Sequence, residues 1–315
     1  MPFYHSLIAA LLPMLIYLIF IWYMDKYERE PFLKVFSHFL WGALGAILLS
    51  VIFASILNFS LNIFYSNKEM KLLIGTIIIA PLVEEIVKSL YLFRTYKKNY
   101  FDNLTDGLVY GSAIGLGFGM TENLLYFITY NETYSQWVSV VLLRTVFSAV
   151  MHAIATATFG AFIAKVKFTS KSRKSFLVFA GLISAILIHT SWNFSVSFNF
   201  TYYFGFLIIL VLIIIFLIVC KMSLKNEESI ITHQLKDEFS IGSNKMIKIY
   251  SRQDILQISK NFYAGKDRKK FVNLATKLAF RKLQEKQSEG KFKEQYSEDI
   301  YDIRKEINNL TKKLR

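Results

Sequence analysis

Cysteine is nearly absent from this chain: one residue of 315, Cys220, carries a thiol, which excludes an internal disulfide. Charge is scarce as well. Asp, Glu, Lys and Arg make up 19% of the residues, against roughly a quarter in an ordinary globular domain. With 54% of its residues hydrophobic, such a chain places its long apolar segments in lipid and not in a water-facing core. The first apolar run, about residues 7–24, has no basic stretch ahead of it and is followed at once by Asp25-Lys26-Tyr27-Glu28. It therefore reads as a span and not as a cleavable signal. The last apolar run contains no lysine, which excludes a retinal-type Schiff base. The net charge of +14 comes with no recognisable nucleic-acid-binding motif, so no nucleic-acid partner is expected.

What is present is a series of runs long enough to cross a bilayer, about 20 apolar residues each. Seven are expected, at about 6–24, 36–58, 72–93, 104–128, 137–164, 176–198 and 202–220. The expected fold is all-α: a polytopic bundle of about seven transmembrane helices over residues 1–220, followed by a helical tail over 221–315. The tail holds 22 Lys and Arg against 13 Asp and Glu. The first, third and fifth loops are also basic, with Lys26, Arg29 and Lys34, then Arg94, Lys97 and Lys98, then Lys165, Lys167, Lys171, Arg173 and Lys174. The second loop has only Lys68 and Lys71, and the fourth and sixth have no basic residue. Because Lys and Arg favour the cytoplasmic face, the N-terminus is expected outside and the tail in the cytoplasm. A bacterial inner membrane fits this layout.

Small residues mark where helices meet. Gly107, Gly111, Gly115 and Gly119 recur every four residues in the fourth run, and Ala149, Ala153, Ala157 and Ala161 in the fifth. Such spacing lets two helices approach closely in lipid. The same seam carries polar groups that packing alone does not need.

Ionisable residues inside a membrane are costly and are paired or functional. The third run reads Pro81-Leu-Val-Glu84-Glu85-Ile-Val-Lys88. Lys88 is i+4 from Glu84 and i+3 from Glu85 and can reach either. It can neutralise one carboxylate and leave the other as a base. Pro81 removes a helix hydrogen bond just before the pair and can kink the helix there. Glu122 and Arg144 lie at similar depths on the fourth and fifth runs, so they can form an ion pair, or Glu122 can face a reaction centre. His152 and His189 fall near the middle of their runs, with Asn193 one turn after His189. Counted at ~1.5 Å per residue, these groups can share one mid-membrane site.

Amide hydrolysis needs a water, a base, an oxyanion donor and an acid for the leaving nitrogen. Glu84 or Glu85 suits the base, His189 with Asn193 the oxyanion donor, and His152 the water or the amine. Alternatively His152, His189 and Glu122 could ligate a zinc ion that activates the water. The HExxH pattern of soluble zinc proteases is absent.

Four motifs in order, Glu84-Glu85-x-x-Lys88, Phe118-x-x-x-Glu122 with Asn123, Arg144 ahead of His152, and His189-x-x-x-Asn193, resemble the PrsW family of bacterial membrane proteases. More distantly they resemble type II CAAX prenyl proteases and bacteriocin-processing relatives, which carry a histidine where Glu122 stands. Asp25-Lys26-Tyr27-Glu28-Arg29-Glu30-Pro31 is similar to the family's first loop. The resemblance implies an endopeptidase for membrane-anchored substrates, with anti-sigma factors cut on their extracytoplasmic side as the best-known case. It implies that Glu84, Glu85 and His189 are essential, with Glu122 and His152 in support. Whether a metal takes part stays open.

The tail exceeds what these motifs need. Tyr296, Ile300, Ile303, Ile307, Leu310 and Leu314 form a heptad seam, preceded by a helical stretch with Phe271, Leu274 and Leu278. Its charge attracts anionic lipid; binding a cytoplasmic partner and self-association are the other expectations. Two other readings of the polar cluster stay open at this level: a proton- or cation-coupled transporter and a non-catalytic sensor or scaffold. No inverted repeat, which would favour the transporter, relates the two halves.

Overall fold

The computed structural model describes residues 2–98, 100–101, 103–167, 171–236, 238–240, 246–247, 252–262 and 265–312. The chain divides into two units, one of Met1–Asp25 with Glu30–Cys220 and one of Lys26–Arg29 with Lys221–Arg315.

The first unit is a helix bundle. Its elements are α1 (Phe3–Met24), α2 (Phe32–Leu40), α3 (Ile47–Phe64), α4 (Lys68–Ile74), α5 (Ala80–Thr95), α6 (Leu104–Thr129), α7 (Tyr134–Leu143), α8 (Ala149–Lys167), α9 (Lys171–Ser197) and the first part of α10 (Tyr202–Leu235). Large apolar side chains such as Ile8, Leu48, Phe59, Phe179 and Leu207 stand exposed around it. Hydrocarbon is the solvent that makes such a surface stable.

Among the described residues, five helical stretches are long and apolar enough to span a membrane: Phe3–Met24, Phe32–Leu61, Tyr134–Lys167, Arg173–Ser197 and Tyr202–Leu235. The other two expected runs are helical too, but they are less apolar. One carries Glu84, Glu85 and Lys88, and the other, α6, is rich in glycine. The first keeps one face exposed, at Leu82, Ile86 and Leu90, while α6 sits inside the bundle, with residues 105–119 buried without a break.

α6 is the centre on which α8, α1 and α2 pack. Close approach explains two of its glycines. A Cβ at Gly115 would overlap the carbonyl group of His152, and one at Gly117 the carbonyl oxygen of Phe39. Any larger residue at Gly115 would push α8, and His152 with it, away from α6.

Three helices contain a π-helical turn, at Trp41–Ala46, Gly75–Ile79 and Arg144–Ser148. A π turn adds a residue to one turn and frees a backbone group there, often beside a functional site. Periodicity in the sequence did not reveal any of them. The irregular turn precedes Pro81 in a continuous helix, and the N–H that Pro81 lacks leaves a carbonyl of that turn without its helical partner. The Asp25–Pro31 loop is held locally: Asp25 accepts a hydrogen bond from the Glu30 amide at 2.9 Å, and Trp22 donates to the Glu30 carbonyl at 2.8 Å.

The second unit is built on α11 (Arg252–Phe262), α12 (Gly265–Gln287) and α13 (Lys291–Lys312), with a two-residue antiparallel ladder, Phe239–Ser240 on Met246–Ile247. The heptad positions Tyr296, Ile300, Ile303, Ile307 and Leu310 are buried, and Phe271, Ala275, Leu278 and Ala279 of α12 are buried in the same unit. The isoleucines and Leu310 form one core cluster with those α12 residues and with Ile231 and Leu235. The seam is therefore covered from within the chain, by α12 and the end of α10. Leu314 lies outside the described residues.

Glu238 ties this unit together, with Lys282 Nζ at 2.6 Å from one carboxylate oxygen and Arg304 Nε at 2.6 Å from the other. Burial alone would raise the Glu238 pKa, but the hydrogen bonds and charges of Arg304 and Lys282 outweigh it and hold the carboxyl below its usual range. A carboxyl lowered in the folded state contributes stability above its unfolded value of about 4.3 and loses it as the pH falls toward the folded value. Hydrogen exchange in α12 and α13, corrected for intrinsic rates, should be flat above about pH 5 and accelerate below it. Glu238→Gln should remove the part of that acid response that the clamp carries.

Candidate active site

The site starts from one buried cation. Lys88 on α5 has no solvent exposure, and burying an ammonium is tolerable only if several acceptors surround it. Its Nζ lies 2.8 Å from Glu85 Oε1 and 2.9 Å from His152 Nδ1. It also sits 3.5 Å from Glu84 Oε2 and 3.9 Å from the Phe118 ring centroid. The i, i+3 and i, i+4 spacing within α5 brings both carboxylates to this one group.

Glu85 is fully engaged. Oε1 also meets His189 Nδ1 at 3.0 Å, and Oε2 accepts a hydrogen bond from the Thr156 hydroxyl at 3.2 Å. It thus joins α5 to α8 and α9. Thr156 was visible in the sequence only as a seam residue; its place one turn after His152 on the same face was the usable signal.

These partners assign the imidazole tautomers. Lys88 is a donor only, so His152 Nδ1 accepts and its proton is on Nε2, donated to Glu122 Oε2 at 2.6 Å. His189 donates from Nδ1 to Glu85, which leaves Nε2 with a free lone pair. The two rings are perpendicular, with centroids 4.7 Å apart.

Glu84 differs from its neighbour. Its Oε2 makes no hydrogen bond and lies 3.9 Å from His189 Nε2. It also lines a cavity of about 470 Å³ together with Glu122, Tyr126, Arg144, His152 and Asn193. Its lining also includes Asn58 of α3 and Lys71 and Leu72 of α4.

The two sequence-level options for Glu122 occur together. Its Oε2 pairs with Arg144 Nη2 at 2.8 Å and receives the His152 hydrogen bond. Asn193 stands on the cavity wall as expected from its i+4 spacing to His189, but one of its amide hydrogens is already donated to the Thr76 carbonyl at 2.9 Å. Thr76 lies in the π turn ahead of α5; Ala80 N–H bonds the Gly75 carbonyl, and Pro81, the next residue, has no N–H to offer Thr76.

Glu84, His152 and His189 each offer a donor atom, all within 4.8 Å of one another. This set differs from the expected zinc set by one member, with Glu84 in place of Glu122.

Residues 30–220 match the model of the PrsW family of intramembrane metalloproteases. The chain belongs to the PrsW family. Among curated proteins it is similar to the protease PrsW of Clostridioides difficile (strain 630), 29% identical over 189 residues, which cover 59% of this chain and 77% of the relative. No solved structure matches. As a PrsW-family member the chain is an integral membrane protease. Every group of the cluster lies inside the matched region, and the second unit beyond Cys220 lies outside it.

The PrsW family is described as metallopeptidases, and the donor chemistry here fits a metal in part. Two imidazoles and a carboxylate with an open fourth position is a catalytic zinc set. The unbonded Glu84 Oε2 and the free Nε2 of His189 are available to an ion. Both nitrogens of His152 are engaged, so for it to ligate, Lys88 or Glu122 must give way.

The geometry separates the two glutamates. Glu85→Ala leaves Lys88 and His189 without their main partner and should lower the stability of the purified protein by about 3–5 kcal/mol, as for a broken buried pair. Glu84→Ala, which removes no hydrogen bond from Oε2, should change stability by far less. Thermal unfolding of both variants in detergent reads the difference.

Proposed function

We propose that this PrsW-family protease is an intramembrane endopeptidase that hydrolyses peptide bonds of membrane-anchored proteins, with Glu84 as the base that activates water. The observation that supports this is that Glu84 lines the cavity while its buried Oε2 makes no hydrogen bond and lies 3.9 Å from His189 Nε2. Two acceptors at that separation can share one water at ~2.8 Å from each. Glu84 takes a proton as the water attacks the peptide carbonyl and then returns it to the leaving nitrogen. Glu85 holds the His189 ring in the tautomer that leaves Nε2 toward the water, the role a carboxylate plays beside a catalytic histidine. The second amide hydrogen of Asn193 is the donor best placed on the cavity wall for the oxyanion. A zinc ion held by Glu84, His189 and His152 would, when bound, polarise the carbonyl and acidify the water, and Glu84 would then serve as a ligand in place of the base.

The substrate reading follows from which residues line the cavity. By the distribution of basic loops, the end bearing Asn58 and Lys71 faces out of the cytoplasm. Cleavage is therefore assigned to the extracytoplasmic boundary of a single-span substrate in a bacterial inner membrane, of the anti-sigma-factor kind. Residues 1–220 form the catalytic domain, and the basic tail 221–315 is an accessory domain at the cytoplasmic face, drawn to anionic lipid or a partner.

Co-expression of the protein with single-span membrane proteins, followed by mass spectrometry of new N-termini, tests this. Fragments cut near the outer membrane boundary should appear with wild type and fall at least ~100-fold with Glu84→Gln, the scale of loss for a general base. Equal fragments from both, at equal protein abundance, would refute the assignment.

A further inference from the structure

Arg144 is an arginine inside a membrane-spanning helix that no step above uses. It opens the π turn ahead of α8 and is received by three residues on one stretch of α6. Its Nε donates to Asn123 Oδ1 at 3.1 Å, and Asn123 is fully buried. Its guanidinium carbon lies 3.5 Å from the Tyr126 ring centroid. Its Nη2 sits 2.8 Å from Glu122 Oε2 as an ion pair outside hydrogen-bond geometry. That same oxygen takes the proton-bearing Nε2 of His152 at 2.6 Å.

We infer that Arg144 is a positioning residue for the hydrolytic site: anchored by Asn123 and Tyr126, it fixes the Glu122 carboxylate so that Glu122 holds the ring of His152 in one orientation and one tautomer. This rests on the proposed protease reading for its effect on rate, but the effect on His152 stands without it.

The argument is one of competing constraints. Glu122 borders the cavity with 21% of its side chain exposed, so a single hydrogen bond from His152 would leave its rotamer free to turn toward water. A second, charged contact on the same oxygen removes that freedom. An arginine suits the task because a planar guanidinium can stack on one face while its edge meets an amide and a carboxylate. A lysine ammonium in the same place can hold the carboxylate but cannot keep the stack and the Asn123 bond together. Partners that orient a reacting histidine from behind are commonly worth 10–100-fold in activity.

The test uses the full-length protein in lipid nanodiscs, with histidine labelled by nitrogen-15 and the His152 signals assigned through His152→Asn. In wild type the His152 nitrogens should report one tautomer protonated at Nε2. In Arg144→Ala those signals should shift or broaden while those of His38, remote from the site, stay in place. Unchanged His152 signals in Arg144→Ala would overturn the inference whether or not the protein proves to be a protease. For cleavage of a substrate found by co-expression, Arg144→Ala should lower kcat about 10–100-fold with KM nearly constant. Free guanidinium, but not sodium at equal ionic strength, should recover part of that loss, and Arg144→Lys should recover less than the native arginine supplies. Adding Glu122→Gln to Arg144→Ala should cost little more, because both act through one contact. A raised KM with unchanged kcat would assign Arg144 to substrate binding instead. If Arg144→Ala does not fold, Arg144→Gln and Arg144→Lys carry the same readouts.

Discussion

A lysine ammonium with no exposure to solvent, inside a bundle that faces lipid, is the constraint from which the rest of this site follows. Lys88 cannot be buried alone. It is satisfied by a carboxylate on its own helix and by a histidine on another, and that histidine in turn meets a third helix through Glu122. Each link specifies a rotation of one helix against its neighbour. The network therefore orients α5, α6, α8 and α9 as well as charging the site. The glycines of α6 are needed for the same reason: only a Cα-thin helix lets the His152 turn of α8 come within reach of Lys88 and Glu122.

The contrast between Glu84 and Glu85 is a consequence of helix geometry. Adjacent residues point about 100° apart on an α-helix, so two neighbouring carboxylates cannot share one environment. One turns into the bundle and is consumed by Lys88, Thr156 and His189; the other turns to the cavity and keeps an oxygen unbonded. A structural anchor and a cavity-lining carboxylate thus arise from a single Glu-Glu pair, with Lys88 within 3.5 Å of both.

Much of this was legible in the sequence and some was not, for physical reasons. The helical class, the Glu84-Glu85-Lys88 spacing and the seam between the Gly107–Gly119 and Ala149–Ala161 ladders follow from periods of 3 to 4 residues that can be counted, and the nearness of His152 to His189 from the depth of each in its run. Which glutamate faces the cavity depends on the rotation of α5 against α8 and α9, a tertiary quantity. The place of Glu84 among the metal-compatible donors, where Glu122 was expected, depends on the same rotation and on Arg144 claiming Glu122. Pro81 signals an unpaired carbonyl one turn back, but the π turns leave no pattern in hydropathy, so that this carbonyl is Thr76 and that Asn193 takes it could not be foreseen. In the tail, the heptad pattern was read correctly as a buried seam, but one sequence cannot say whether the covering helix comes from another chain or, as here, from α12 of the same one.

The central claim is that water reaches Glu84 through the cavity at the α3–α4 end, while the groups behind it are sealed. Cysteine accessibility tests it most directly, since Cys220→Ser leaves no native thiol. In that background, Glu84→Cys should react with a membrane-impermeant thiol reagent applied to the face bearing Asn58 and Lys71, and Thr156→Cys, buried behind Glu85, should not. A folded Glu84→Cys protein that resists the reagent, or equal labelling at both positions, would contradict the account.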